Sequence, residues 1–477
     1  MTAATAPAPD TARESLASAL TRRSPGIAAA LDPERARLRA AAWAARAVPD
    51  AAVSDVRVGS VLCRPDGSCT LRYRVRLAPS GSERVLLVEV PRSGADVVVR
   101  PFPADPGLPT LPRAVDPVVM REVLGQVVPG TGGPRAVGWF AVDVVHHPRR
   151  DRCVLRYRLA PGTGGPGRPR HPVVFGKVYA DPAAPAAAAA ALRLLRTGLR
   201  PLPDGTRVAV PRPLAVVPGL RLGLVEEIPG RPVLPELLTT ACRAGEHPGG
   251  TDPHELPDAV ATAARLAAAV HACSPDGAPL PVRTLDGERA ATESELALLE
   301  PVWPGPAARL RRGLDRALRA AGDPCGPAAT RGPSGSGLAH GDLTPGQVLV
   351  DGTGGAGLVD VDTLCLAEPA LDLGRFLAYL QVTGVRRAPS AEPLLAELSA
   401  LFVASWLGSR LDQRPAAGGT RPPAAAAVRE LRTRTAAYRA LALARMGASA
   451  CRQLKDDRLG AVLHVLDSAA DGRGADG

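Results

Sequence analysis

The chain has 477 residues, 45% of them apolar and 3% aromatic, with 49 glycines, 50 prolines and a formal net charge of +11. That length exceeds one ordinary core and predicts two or three domains, with interiors built from Ala, Leu and Val rather than from rings. Glycine and proline lie scattered in loops, which argues against a collagen-like chain or bulk disorder; the arginines are scattered among acids, with no zinc-finger or basic-helix pattern, so an arginine-leaning composition explains the charge better than a nucleic-acid partner does.

Eight cysteines, none in a CxxC pair, read as reduced thiols of a cytosolic protein. The opening MTAATAPAPDTARES lacks the basic-then-apolar order of a signal peptide, and no apolar run reads as a membrane span. A cytoplasmic protein with no membrane partner is the expectation.

In chain order, residues 1–25 are rich in Ala, Pro, Thr and Ser and read as loose. Residues 30–48 predict a helix capped by Asp32. Residues 55–101 alternate apolar and polar between turns at PDGS and PSGS, the pattern of a strand meander. A Pro/Gly-rich connector with a short helix near 116–126 completes an N-terminal extension, 1–135. A second strand group spans 138–180 and echoes the first: CTLRYRV at 69–75 against CVLRYRL at 153–159, each followed by a further apolar strand. In that register Glu89 falls where Lys177 does. An internal duplication with one degenerate copy and two hairpins alike by chance are both open.

An Ala/Leu helix follows at 182–199, then two strands within 208–230. Residues 136–230 thus read as a small strand-rich lobe. Residues 231–477 read as mostly helical, with helices at 256–271 and about 370–384, 391–411 and 424–455, and a Gly/Pro/Ser loop at 321–337. The fold class is α+β in two lobes behind an N-terminal extension.

The chemistry gathers in GLAHGDLTPGQVLVD at 337–351 and GLVDVD at 357–362. Two short strands pairing across the GTGGAG turn would bring Asp342, Gln347, Asp360 and Asp362 to one end. Like charges repel at close range, so such a cluster needs a cation or a shared proton, and Mg²⁺ suits a few protein oxygens supplemented by water and phosphate. Lys177 adds to this. The chain uses Lys only twice, at 177 and 455, against a large excess of Arg, yet VVFGKVYA places one mid-strand in an apolar run. A slim ammonium there could meet a phosphate oxygen where a guanidinium would crowd; a snorkelling edge-strand lysine is the alternative.

HGDLTPGQVLVD, GLVDVD and EPALDLGRFLAYL together resemble the aminoglycoside phosphotransferase group of small-molecule kinases, relatives of choline kinases and protein kinases. The resemblance implies a protein-kinase-like fold and ATP- and Mg²⁺-dependent transfer of the γ-phosphoryl group to a hydroxyl of a small polar molecule, an aminoglycoside-like compound or a sugar. It implies Asp342 as the catalytic base, Gln347 and Asp360 as metal ligands, Lys177 as the nucleotide lysine, and Asp372 as a support of the loop. His340 and Asp362 are further candidates. LGLVEEIPGRPV at 222–233 resembles the hinge between lobes, where backbone groups around Glu227 and Ile228 would hold adenine; Glu226 and Glu227 then face outward.

Three departures stand out. Gln347 occupies a position that is usually Asn, one methylene shorter. The helix after Lys177 has no acid to pair with it, leaving Glu89 or Glu122 as upstream candidates. No Gly-rich phosphate loop is present, and VVHHPRRDRC at 144–153 stands in its place. A catalytically inactive kinase-like binding protein is therefore the alternative. Acids of the helical lobe, Glu293, Glu295, Glu368 and others, are candidate ligands for an amine-bearing substrate, and with few aromatic platforms to hold a sugar an amine-bearing or antibiotic-like acceptor is the expectation. His271 reads as a helix-terminal histidine favoured by the dipole.

Overall fold

A computed structural model describes residues 15–94, 96–127, 140–147, 151–159, 173–202, 204–244, 254–322, 337–351, 355–412 and 425–470. The chain divides into two compact units. One comprises Met1–Phe102, Leu296–Arg309 and Gly447–Gly460; the other comprises Pro103–Glu295, Leu310–Met446 and Ala461–Gly477.

The first unit opens with α1 (Leu16–Arg23), α2 (Pro25–Leu31) and α3 (Pro33–Ala47). The expectation that residues 1–25 are loose fails for 16–23. The Ser15 hydroxyl accepts from Ser18 N, and Leu16 and Leu20, one turn apart, are buried. Residues 1–14 lie outside the described residues. Asp32 caps α3 as expected, accepting from Arg35 N at 2.8 Å. The meander is β1 (Ala52–Cys63), β2 (Cys69–Ala78), β3 (Glu83–Val90) and β4 (Val98–Pro101), an antiparallel sheet in sequential order. Leu71, Tyr73, Val75 and Leu77 of β2 point inward while arginines alternate on the other face, the period of two that the sequence displays.

The second unit carries α4 (Leu111–Ala114), α5 (Pro117–Val127), β5 (Phe140–His146), β6 (Arg152–Leu159), β7 (Val173–Tyr179), α6 (Ala184–Gly198), β8 (Val208–Ala209), β9 (Pro213–Val217) and β10 (Leu222–Glu226). Strands β5, β6, β7, β10 and β9 form one sheet in that order. Then come α7 (Val233–Ala244), α8 (Glu255–Ala272), α9 (Leu285–Ala297), α10 (Pro304–Ala320), β11 (Gly337–Ala339), β12 (Val348–Val350), β13 (Ala356–Leu358), β14 (Cys365–Ala367), α11 (Ala370–Val385), α12 (Glu392–Asp412), α13 (Ala425–Arg452) and α14 (Asp456–Ala470). Segments of α9, α10, α13 and α14 belong to the first unit. The α+β class holds: a strand-rich part precedes a helical one.

The sequence echo is structural. Asp32 recurs as Asp116, which accepts from Val118 N at 2.7 Å and caps α5. Tyr73 donates to Ala30 O and Tyr157 donates to Ala114 O, at 2.6 and 2.7 Å, across the same separation of 43 residues. Both rings are fully buried. Glu89 pairs in register with Thr70, and Lys177 with Val154. Two helices and three antiparallel strands thus appear twice, and chance likeness of one hairpin does not account for the repeated cap and tyrosine bond.

Among the described residues one helical segment, Pro389–Arg410, is long and apolar enough to cross a membrane by length and composition. Within it Leu395, Leu398, Phe402 and Trp406 are buried at helical spacing, and Phe402 stacks on Phe376 of α11 with ring centroids 4.0 Å apart.

Candidate active site

β11 and β14 pair, and between them run the HGD segment, the strands β12 and β13, and the DVD segment. β12 and β13 pair across the turn, as the sequence predicts. The strand expected over 357–362 stops at Leu358, because Asp360 adopts a left-handed backbone, φ 62°, and Val361–Thr363 turn into a 3-10 helix. Asp is one of the few residue types that tolerate this conformation, and its presence turns the carboxylate out of the strand.

Gly341 stands at φ 79°, and a Cβ there would lie 2.2 Å from Thr363 O. The middle residue of HGD is therefore glycine by necessity. Its carbonyl accepts from Arg283 and from Arg375, each at 2.6 Å. Arg375 also reaches Asp342 Oδ1 at 3.4 Å, beside a carboxylate that keeps 33% side-chain exposure.

Asp372 is fully buried and ties the loop down. It accepts from His340 N at 2.6 Å, Gly341 N at 2.8 Å and His271 Nε2 at 3.0 Å. Burial pushes its pKa up, but the donors from His271 and His340 prevail and hold it below the usual carboxylate range. Trp406 Nε1 donates to His271 Nδ1 at 3.0 Å, so the proton of that imidazole sits on Nε2 and points at Asp372. His271 is thus a link between α8, α12 and the loop, a role that its place at a helix end did not disclose.

His340 does not face a ligand cavity either. Asp342 N approaches its Nδ1 at 3.4 Å, and its Nε2 donates to Val359 O at 3.1 Å. Thr363 Oγ1 donates to His340 O at 2.9 Å. The histidine fastens the HGD segment to the DVD segment.

A cavity of about 600 Å³ is lined by Arg152, Lys177, Glu227, Ile228, Gln347 and Asp360, among others. Lys177 Nζ donates to Asp360 Oδ1 at 2.7 Å and to Asp362 Oδ1 at 2.9 Å. This answers the missing helix acid. Lys177 is paired by the two aspartates, while Glu89 pairs with Arg100. Arg152 sets its fork on Asp360, at 3.0 and 3.2 Å, and also reaches Asp362 at 3.2 Å. Tyr179 donates to Asp362 Oδ2 at 3.0 Å. Burial pushes the Asp360 pKa up, but Lys177 and Arg152 outweigh it and hold the group well below the ordinary value. Burial, and then Asp362, pushes the Tyr179 hydroxyl far up, so it remains a donor.

Gln347 is buried, and its Oε1 accepts from Thr344 N at 2.8 Å within a reciprocal capping box over Pro345–Gln347. An amide oxygen has a second lone pair, and that cap fixes its direction. Among the described residues no three His, Cys, Asp or Glu side chains converge as a metal site. The oxygens of Asp360, Asp362 and Gln347 are instead the kind of sparse, hard donor set that Mg²⁺ accepts. Glu226, expected to face outward, accepts from Arg212 N and Nε, both at 3.0 Å; Glu227 is exposed and follows β10 directly. Of VVHHPRRDRC, residues 148–150 lie outside the described residues. Arg375, Arg283 and Tyr179 were not singled out from sequence, although Tyr179 lies two residues past Lys177 on the same strand face.

No curated protein sequence matches the chain. Among solved structures it is similar to the macrolide 2′-phosphotransferase of Brachybacterium faecium, at 20% identity and a TM-score of 0.38 over 71% of this chain and 92% of that one. Choline kinase from Cryptosporidium parvum Iowa II is similar at 13% identity and a TM-score of 0.45, over 75% and 95%. A glucosamine kinase is similar at 17% identity and a TM-score of 0.43, over 87% and 92%. Residues 174–412, from the strand of Lys177 to the end of α12, match the sequence model of the phosphotransferase enzyme family, and the protein belongs to that family of small-molecule kinases.

Proposed function

We propose that the protein transfers the γ-phosphoryl group of ATP, with Mg²⁺, to a hydroxyl of a small neutral polar acceptor such as a sugar. The observation that carries this reading is the meeting of Lys177 with Asp360 and Asp362 in a cavity also lined by Glu227, Ile228 and Gln347. Backbone groups at Glu227 and Ile228 would hold adenine, and Lys177 would hold phosphate oxygens. Asp360 and Gln347, with Asp362 beside them, would hold Mg²⁺, which neutralises charge on the phosphates.

In this reading Asp342 accepts the hydroxyl proton as the acceptor oxygen bonds to phosphorus and the bond to the ADP oxygen breaks. Arg375 and the glycine turn position that carboxylate. Positioning and charge neutralisation supply most of the rate.

The acids of the helical lobe bear on the acceptor class. Glu293 is held by Arg289 at 2.9 Å, Glu295 by Arg445 at 3.2 Å, and Glu368 by Arg434 and by Tyr438 at 2.7 Å. Each carboxylate named as an amine ligand already has a guanidinium partner. That favours a neutral hydroxyl compound over a polycation.

The inactive binding protein remains the competing reading, because both carboxylates at the metal position are matched by cations. Calorimetric titration of ATP separates the two. Mg²⁺-dependent binding that is lost in Asp360→Ala, with turnover lost in Asp342→Ala, is the expected result. Absence of binding at millimolar ATP would refute the kinase reading.

A further inference from the structure

The segment joining β5 to β6, His147 to Asp151, contains no glycine. Without glycine a backbone cannot easily approach phosphates closely enough to bind them through its own N–H groups. A side-chain donor on that edge of the site would serve in place of such a backbone contact. Arg152 opens β6, next to the strand of Lys177. It pairs in register with Tyr179, and Val154 pairs with Lys177, so Arg152 and Lys177 reach the same two aspartates, and Tyr179 reaches Asp362, from one sheet face.

Charge makes the present position of Arg152 incompatible with a bound divalent ion. Lys177 and Arg152 already balance Asp360 and Asp362. An added dication at the same oxygens would face two cations within a few ångströms, and partial burial weakens screening. Of the two, Arg152 is the more exposed, 27% against 18% for Lys177, and a guanidinium fork fits two phosphate oxygens as well as it fits a carboxylate.

We propose that Arg152 is a phosphate-binding residue of this site, one that caps Asp360 and Asp362 while no nucleotide is bound and moves its fork to the nucleotide phosphates when the metal and nucleotide enter. The inference rests on the phosphotransferase reading and deepens it. It gives the chain a side-chain substitute for a Gly-rich loop, and it couples metal entry to nucleotide entry, because the fork leaves the carboxylates most readily when phosphate is there to receive it.

The test compares full-length wild type, Arg152→Ala and Arg152→Lys in two binding measurements: Mn²⁺ titration without nucleotide, followed by electron paramagnetic resonance, and ATP titration at saturating Mg²⁺ by calorimetry. In Arg152→Ala, Mn²⁺ should bind roughly ten-fold or more tighter than in wild type, and ATP at saturating Mg²⁺ roughly ten-fold or more weaker. A gain in Mn²⁺ affinity cannot come from a misfolded site, so the pair of opposite changes is diagnostic. Arg152→Lys, which keeps the charge but not the fork, should fall between the two for ATP. Unchanged Mn²⁺ and ATP affinities in both variants, with Mg²⁺-dependent ATP binding intact in wild type, would overturn the assignment of Arg152 alone. Wild type that binds no nucleotide with or without metal would overturn the kinase reading and this one together.

Discussion

Asp342→Asn preserves size and removes the proposed proton acceptor. Turnover should fall by roughly 10²–10⁴-fold while ATP affinity stays close to wild type, measured by coupled assay and calorimetry. Gly341→Ala tests the turn beneath it: a methyl 2.2 Å from Thr363 O in a left-handed backbone cannot be accommodated without moving the loop, so activity should be lost along with stability. Asp372 and Asp360 give a pH dependence with a definite sign. Both carboxyls titrate lower in the folded protein than in the unfolded chain. Their stabilisation is complete above the unfolded value, about 3.9, and is lost as pH falls through the folded values. Urea midpoints should therefore drop in acid below about pH 4, and Asp372→Asn should lower the plateau and flatten that limb. At this scale the sequence displayed the aspartates but not their holders. His271 is 101 residues from Asp372, and nothing local marks it as more than a helix end.

Single elements respond to caps and close contacts. Asp32→Ala and Asp116→Ala each remove one helix cap and should cost about 1 kcal/mol by chemical denaturation. Gly374 of α11 meets α13 so closely that a Cβ would lie 2.6 Å from Arg439 N. Gly374→Ala should destabilise by about 1–3 kcal/mol, opposite in sign to helix propensity, which favours Ala. The long helices and the meanders were legible because period 3.6 and period 2 persist over many residues. The pairs β11–β14 and β8–β13 were not: two or three residues carry no period, and each strand's partner is distant in sequence. Residues 16–23 hid for a related reason, since two leucines one turn apart are too few to announce a helix.

The molecule as a whole joins its two units by repeated passage of the chain. The first unit takes Leu296–Arg309 and Gly447–Gly460 from far downstream. Within it Trp303 Nε1 donates to Leu16 O at 3.1 Å, and Leu16 N donates to Asp456 at 2.8 Å. A chain beginning at Pro103 would leave those segments without their partners. It should be recovered mainly as aggregate or be rapidly proteolysed, and a stable, monodisperse truncated protein would contradict the interleaving. That arrangement could not be read from sequence, where residues 1–135 look like a separable extension. The repeated pattern of two helices and three strands has a consequence of a different kind. Both copies gain stability from the capping aspartate and the buried tyrosine, but in the proposed function only one must also keep a lysine for phosphate. Across natural variants of this gene, position 177 should be nearly fixed while position 89 drifts among polar residues. The two halves of the repeat would then record two histories, one written by folding alone and the other by folding and chemistry together.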